Sequence, residues 1–479
     1  MFRLPDNAGR AALGLVLTAL CWLVQAQSAA AHASEQAFVL LLPTDVYIAA
    51  GCAAVAFSMI VVALVPPRWL ASMFRPVEIG AHPSLERFQT VASLVSLIAL
   101  AVLLVIGVTG PRDPLTNLLP LTIWTIWWVV LVTLHGLFGN LWAWINPWTG
   151  LFRLLFGTLR NTPLIALPRS FGMWPGVVLF VLFFMFLIAD PAPQDPARLA
   201  NVVFGYWLLT FAGMVVFGAE AWLTNCECFT MLFRRFAALA PVQWAGNATI
   251  GVPGWAALRQ SAPTIGGAVF ILILLGSGSF DGIGETFWWL GKIGVNPLEF
   301  PGRSAVIWPT IAGLLATNVA LVVTFAGCIW LGLTLANAGA GTGDQVAFRA
   351  AFTRSAVSVL PIAFGYHIAH YLTSFLVDGQ YAIAALSDPL ARGADILGLG
   401  QYQITTGFFS NRDSVRLIWL TQAGVVVGVH ILAVLMAHAI AAELFRTRRR
   451  VILSQLPLAV FMILYTFLGL WLLASPRGV

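Results

Sequence analysis

Charge is scarce in this sequence. Asp, Glu, Lys and Arg make up 9% of the 479 residues, while hydrophobic side chains make up 59% and the mean hydropathy is +0.89. That balance excludes a disordered chain and a string of soluble domains. The five cysteines (Cys21, Cys52, Cys226, Cys228 and Cys328) form no secreted disulfide framework. No P-loop, dinucleotide glycine motif, G-x-S-x-G elbow or H-E-x-x-H occurs. Their absence argues against an ATP-driven pump, a flavin enzyme and a serine hydrolase of familiar type. The basic residues are not clustered in a soluble domain, so the pI near 9.4 does not indicate nucleic acid. The short alternating strands of an outer-membrane barrel are missing as well.

What the chain does contain is a series of apolar runs of about 20 residues, enough for a helix to cross a bilayer core of about 30 Å. The fold class is therefore all-α, a polytopic transmembrane helical bundle. Residues 1–33 read as a secretory signal: Arg3 and Arg10, an apolar run from Ala11 to Val24, and small residues at the end. Cleavage frames end at Ala31 or Ala33, and an uncleaved first helix is the alternative. Residues 34–479 form a single membrane domain with ten expected spans. These lie near 46–65, 89–109, 118–139, 172–190, 199–219, 264–280, 305–336, 351–377, 414–443 and 453–474.

A cleaved signal puts the mature N-terminus outside, and charge supports that orientation. Of the lysines and arginines, 15 fall in the interior loops of this topology and 8 in the exterior segments. Acidic residues run the other way, 12 outside and 6 inside. Excess Lys and Arg on the cytoplasmic side is the expected bias, so both termini are placed outside. Tryptophans 142, 144 and 148 then read as an interfacial belt, and 229–239 as an amphipathic helix on the inner leaflet. Exterior loops are expected at 281–304 and 378–413.

Lipid cannot solvate an imidazole, so histidines inside a span need partners and are functional suspects. Tyr366-His367-Ile368-Ala369-His370-Tyr371 places two of them three residues apart, on one side of a helix. Asp378, Asp388 and Asp395 follow, and Asp281 and Glu285 sit in the other exterior loop. Two imidazoles and a carboxylate suit zinc, manganese or iron with a position left for water, which the metal makes acidic enough to attack an ester. The candidate catalytic set is His367, His370, Asp378 and Asp388, with the two histidines as metal ligands. Tyr366, Tyr371, Asp281, Glu285 and His430 are its candidate substrate contacts and supports. A structural hydrogen-bonded pair and a proton relay are the competing readings of the same histidines. His82 and His135 read as structural, His438 lies too near the cytoplasmic side to join the pair, and Cys226-Glu227-Cys228 is a weak grip for a soft metal.

With these residues in view, the chain resembles a bacterial family of multi-pass membrane proteins named for hydrolysis of fenitrothion. The likeness is carried by Phe280-Asp281-Gly282 with Glu285-Thr286-Phe287-Trp288, and by Asn296-Pro297-Leu298-Glu299-Phe300-Pro301-Gly302-Arg303. Tyr366 to Tyr371 and Ser387-Asp388-Pro389 carry it too, and it covers most of the mature chain. The chain departs from the family pattern at Asn225-Cys226-Glu227-Cys228. The resemblance implies a bacterial inner-membrane hydrolase of organophosphorus triesters and brings no catalytic residues with it. The expected function is a metal-dependent hydrolase of apolar esters, its partners the bilayer and a small apolar substrate. The alternative is an ion or metal permease using the same His/Asp cluster.

The orientation has a direct check. In a cysteine-free background, a single cysteine at Glu299 is expected to react with an impermeant maleimide in intact cells, and one at Arg349 only after lysis. The reverse pattern would invert the bundle.

Overall fold

The structure, a computed structural model, describes residues 42–81, 86–157, 163–244, 247–299, 301–338, 344–400 and 402–476, with Val39 and Gly341. The expected signal segment, Cys21 and His82 lie outside the described residues.

The helices that build the bundle are α1 (Thr44–Leu64), α2 (Glu86–Thr109), α3 (Leu118–Phe138), α4 (Trp174–Ala189) and α5 (Pro196–Phe217). They continue with α6 (Cys228–Ala237), α7 (Ile265–Gly284), α8 (Ile307–Asn337), α9 (Leu360–Ser387), α10 (Arg412–Leu444) and α11 (Arg448–Ala474). Among the described residues, eight are long and apolar enough to cross a membrane: all but α4, α6 and α9. Two of the ten expected spans thus take another form. The apolar segment α4 has 16 residues, short of a full crossing. At 28 residues α9 is long enough, but with two tyrosines and two histidines close together it is not among those eight. It begins at Leu360, after a separate helix Phe348–Ala356 and a tight turn at Val357–Val359.

Around α7 the bundle closes most completely. Of its apolar stretch 78% is buried, against 17–50% for the other seven. Small residues (Gly266, Gly267, Ala268, Gly276) line that helix and let α4, α8 and α9 approach. Buried polar pairs replace lipid contacts along it: Asn318 of α8 donates to Ser277 Oγ at 3.1 Å, and Ser279 and Tyr465 hydroxyls meet at 2.5 Å. A small antiparallel sheet that the sequence did not announce ties the chain after α1 to the segment before α7. Its strands are β1 (Val77–Ala81), β2 (Val242–Gln243) and β3 (Asn247–Ile250), in the order β1–β3–β2.

Two interfacial expectations are corrected. The apolar face of α6 is covered by protein, with Phe229, Leu232, Phe233 and Phe236 all buried against α3, α4 and α9. Trp142 and Trp148 are buried too, because each indole N–H finds its acceptor inside: Thr230 Oγ1 and the Trp207 carbonyl, both at 3.2 Å. In α3, residues Leu121–Leu131 run as a π-helix, a form that concentrates at functional sites.

Close helix contact at one glycine gives a test of the packing. A Cβ on Gly136 of α3 would lie 2.1 Å from the Phe364 ring of α9, which itself packs on Phe236 with centroids 5.3 Å apart. Gly136→Ala is expected to cost about 1–3 kcal/mol by overpacking, read as a lowered unfolding temperature in detergent. No change would mean that α3 and α9 do not meet there.

Candidate functional site

On α9 the i, i+4 spacing makes two ring pairs, one stacked and one tilted. Tyr366 lies parallel to His370, with centroids 5.6 Å apart and planes at 12°. The rings of His367 and Tyr371 are 4.9 Å apart. Facing them is Asp281, in the last turn of α7. The tyrosine hydroxyl of Tyr371 donates to Asp281 Oδ2 at 2.6 Å, and His370 Nε2 stands 3.1 Å from the same oxygen. Asp281, His367 and His370 are all buried. An ionised carboxylate inside a bundle is costly unless it is paired, and this one has two partners.

On the other side of the cluster, His367 Nε2 lies 2.8 Å from the Trp128 carbonyl in the π-helical part of α3. A carbonyl can only accept, so Nε2 carries the proton. The indole of Trp128 meets the His367 ring edge-on, with centroids 5.0 Å apart. His370 Nδ1 is buried and has no protein partner. Beside it is a cavity of about 20 Å³, walled by Trp128, Phe184, Leu274, Gly278, His367 and His370 among others. One water needs about 10–15 Å³ of such space, so the cavity has room for one.

Of the expected site residues, the structure brings together His367, His370, Tyr366, Tyr371 and Asp281. Asp281 moves from a loop into a helix. The glycine after it gives Tyr366 room: a Cβ on Gly282 would sit 2.1 Å from the Tyr366 hydroxyl. Glu285 caps α7 one turn further on. Asp378 also lies on a helix rather than in the expected loop, half-buried on α9 and about 12 Å along the axis beyond His370.

Asp388 ends α9 and organises its own loop, accepting from the amides of Arg392 at 2.9 Å and Gly393 at 2.7 Å. Those amides hold its carboxyl below the usual carboxylate range. Asp395 does the same with the amides of Gly400 and Leu399 and the Ser387 hydroxyl, which lower it likewise. His430 bonds Val426 O of its own helix through Nδ1 at 2.7 Å, and its buried Nε2 has no protein partner. His135 is fully engaged, its Nδ1 at 2.6 Å from Leu131 O and its Nε2 accepting from the Trp142 amide at 2.8 Å.

Cys226-Glu227-Cys228 is arranged around its acid. Glu227 caps α6 by accepting from the Phe229 and Thr230 amides, and also bonds the Tyr206 hydroxyl. Burial pushes its carboxyl up, against those hydrogen bonds. Cys228 Sγ lies 3.3 Å from the Tyr206 oxygen. Among the described residues no three His, Cys, Asp or Glu side chains are grouped as a metal ion would need. At the His/Asp cluster, Asp281 Oδ2 already meets two partners and His367 Nε2 a third, which leaves His370 Nδ1 open to a water or an ion.

What the sequence could not announce is the Trp128 contact, because a backbone carbonyl carries no side-chain signature. The centrality of Asp281 was within reach: the expected span ended at 280, one residue short.

Two outcomes follow from this geometry. Tyr371→Phe removes one of the two groups on a buried carboxylate and is expected to cost about 1–3 kcal/mol, measured as thermal unfolding in detergent. The folded-state carboxyls of Asp388 and Asp395 lie below 3.8, so their hold on the loop is complete above that value. It is lost as the pH falls through the lower folded values, and amide exchange at residues 392–400, corrected for intrinsic rates, should rise there.

The chain matches no family model, no curated protein and no solved structure, and its chemistry has to be read from its own residues.

Proposed function

We propose that the chain is an integral membrane hydrolase of apolar esters, organophosphorus triesters included, with His370 as general base and Asp281 as its orienting carboxylate. One observation carries the reading: His370 spends Nε2 on Asp281 and keeps a buried Nδ1 without a protein partner, beside space for one water. That is the base-and-orienter arrangement of nucleophile activation. Nδ1 takes a proton from water as the oxygen bonds to phosphorus or the acyl carbon. The ester P–O or C–O bond then breaks, and the imidazolium returns the proton to the leaving oxygen. Asp281 stabilises the imidazolium formed in between, and Tyr371 holds Asp281 in place. The resemblance noted from Asp281-Gly282 and Tyr366–Tyr371 supports the same substrate class, and the charge bias supports an exterior position for this end of the bundle.

A metal at the site would take His370 and His367 through their Nδ1 atoms and supply a more acidic water. A second reading is favoured by the position of Asp281 on the most buried span: a permease that passes a proton or ion through the cluster.

Release of nitrophenolate from diethyl 4-nitrophenyl phosphate by purified protein separates these. His370→Ala is expected to lower turnover by about 10²–10⁴-fold, with Asp388→Asn near wild type. Activity that survives chelation assigns the step to the His/Asp pair; loss restored by zinc, manganese or iron assigns it to the ion. Absence of turnover, together with proton-coupled uptake in sealed vesicles that His370→Ala abolishes, would sink the hydrolase and support the permease.

A further inference from the structure

A second cavity, about 520 Å³, opens between α2, α3, α4 and α5, the side of the bundle least covered by protein. Its volume falls in the range of small-molecule sites. No charged side chain lines it, and nine of its lining residues are aromatic. Four of its five tryptophans have their N–H groups tied inside the protein. Trp124 donates to Pro193 O, Trp142 to Thr230 Oγ1, Trp148 to Trp207 O and Trp207 to Pro147 O, each at 3.2 Å. The last two form a reciprocal clasp. With their polar ends committed, these indoles present ring surface only, and in fixed orientations.

We infer that this chamber binds one uncharged, ring-bearing apolar molecule taken from the bilayer. Rings pack on fixed aromatic walls edge-to-face or offset, gaining about 0.5–1.5 kcal/mol per pair beyond area burial. A flexible acyl chain gains no such pairing and loses more freedom when it is immobilised. With no charged side chain in the lining to balance it, a charged headgroup is disfavoured here, which argues against phosphate and carboxylate ligands. The wall also has two faces. Trp127 and Phe183 line the chamber, while their chain neighbours Trp128 and Phe184 line the small cavity at His370. A bound ring therefore lies one aromatic layer from the His/Asp cluster. The inference stands on the chamber alone and does not require hydrolysis.

The test is titration of purified full-length protein in detergent with 1-aminoanthracene, an uncharged fused-ring fluorophore. Saturable binding of one probe per chain is expected, with tryptophan emission quenched, displacement by biphenyl and none by dodecane. Gly205→Phe and Ala99→Phe project into the chamber from α5 and α2, and a Cβ at Gly205 meets nothing within 4 Å. Each should weaken binding tenfold or more at an unchanged unfolding temperature. Non-saturable partitioning, wild-type affinity in both variants, or equal displacement by dodecane would overturn the inference and make the chamber a lipid-filled groove. Because the readout is binding, its failure leaves the hydrolytic reading untouched.

Discussion

One buried carboxylate organises the centre of this bundle. Asp281 is buried at the end of α7, and a carboxylate so placed is tolerated when it has partners at hydrogen-bonding distance. Tyr371 and His370 supply them from a single helix, α9, and so fix how far α7 and α9 can slide or rotate against each other. The glycine next to Asp281 follows from the same constraint, since Tyr366 must pass over it. His367 extends the arrangement to α3 through the Trp128 carbonyl. Three helices are thus registered by polar contacts at one level.

Much of this was legible in the chain, for reasons that can be named. Apolar runs of spanning length reported the fold class, because few other structures tolerate them. Tyr366, His367, His370 and Tyr371 stood out because their spacing puts polar groups on one side of an apolar helix. Asp388 stood out equally, yet it closes its own loop: a carboxylate looks the same in sequence whether it meets an imidazole or two backbone amides. Trp142 and Trp148 illustrate the reverse problem. Amphipathic rings suit a lipid interface and a protein interior alike, and the acceptors that decided between them, Thr230 and Trp207, lie far along the chain. The π-helical turns of α3 left no sequence signal that spacing or composition could reveal.

The two cavities differ in kind and share a wall. The smaller includes His367, His370, Tyr366 and Tyr371 in its lining and has room for about one water; the larger is aromatic and has no charged side chain in its lining. Adjacent residues of α3 and of α4 belong one to each, so aromatic side chains rather than backbone separate the hydrophobic compartment from the polar one. A partition of this sort yields to rotamer changes, whereas a wall of helix backbone would not.

The composition of α9 has a consequence for how the protein is made. The tyrosines and histidines that form the cluster are carried by a helix that stands outside the eight apolar enough to cross a membrane by length and composition. His367 Nε2 and His370 Nε2 find their partners on α3 and α7, which are synthesised earlier. The polar groups that α9 brings into the bundle thus meet partners on helices made before it, and assembly and chemistry draw on the same few side chains.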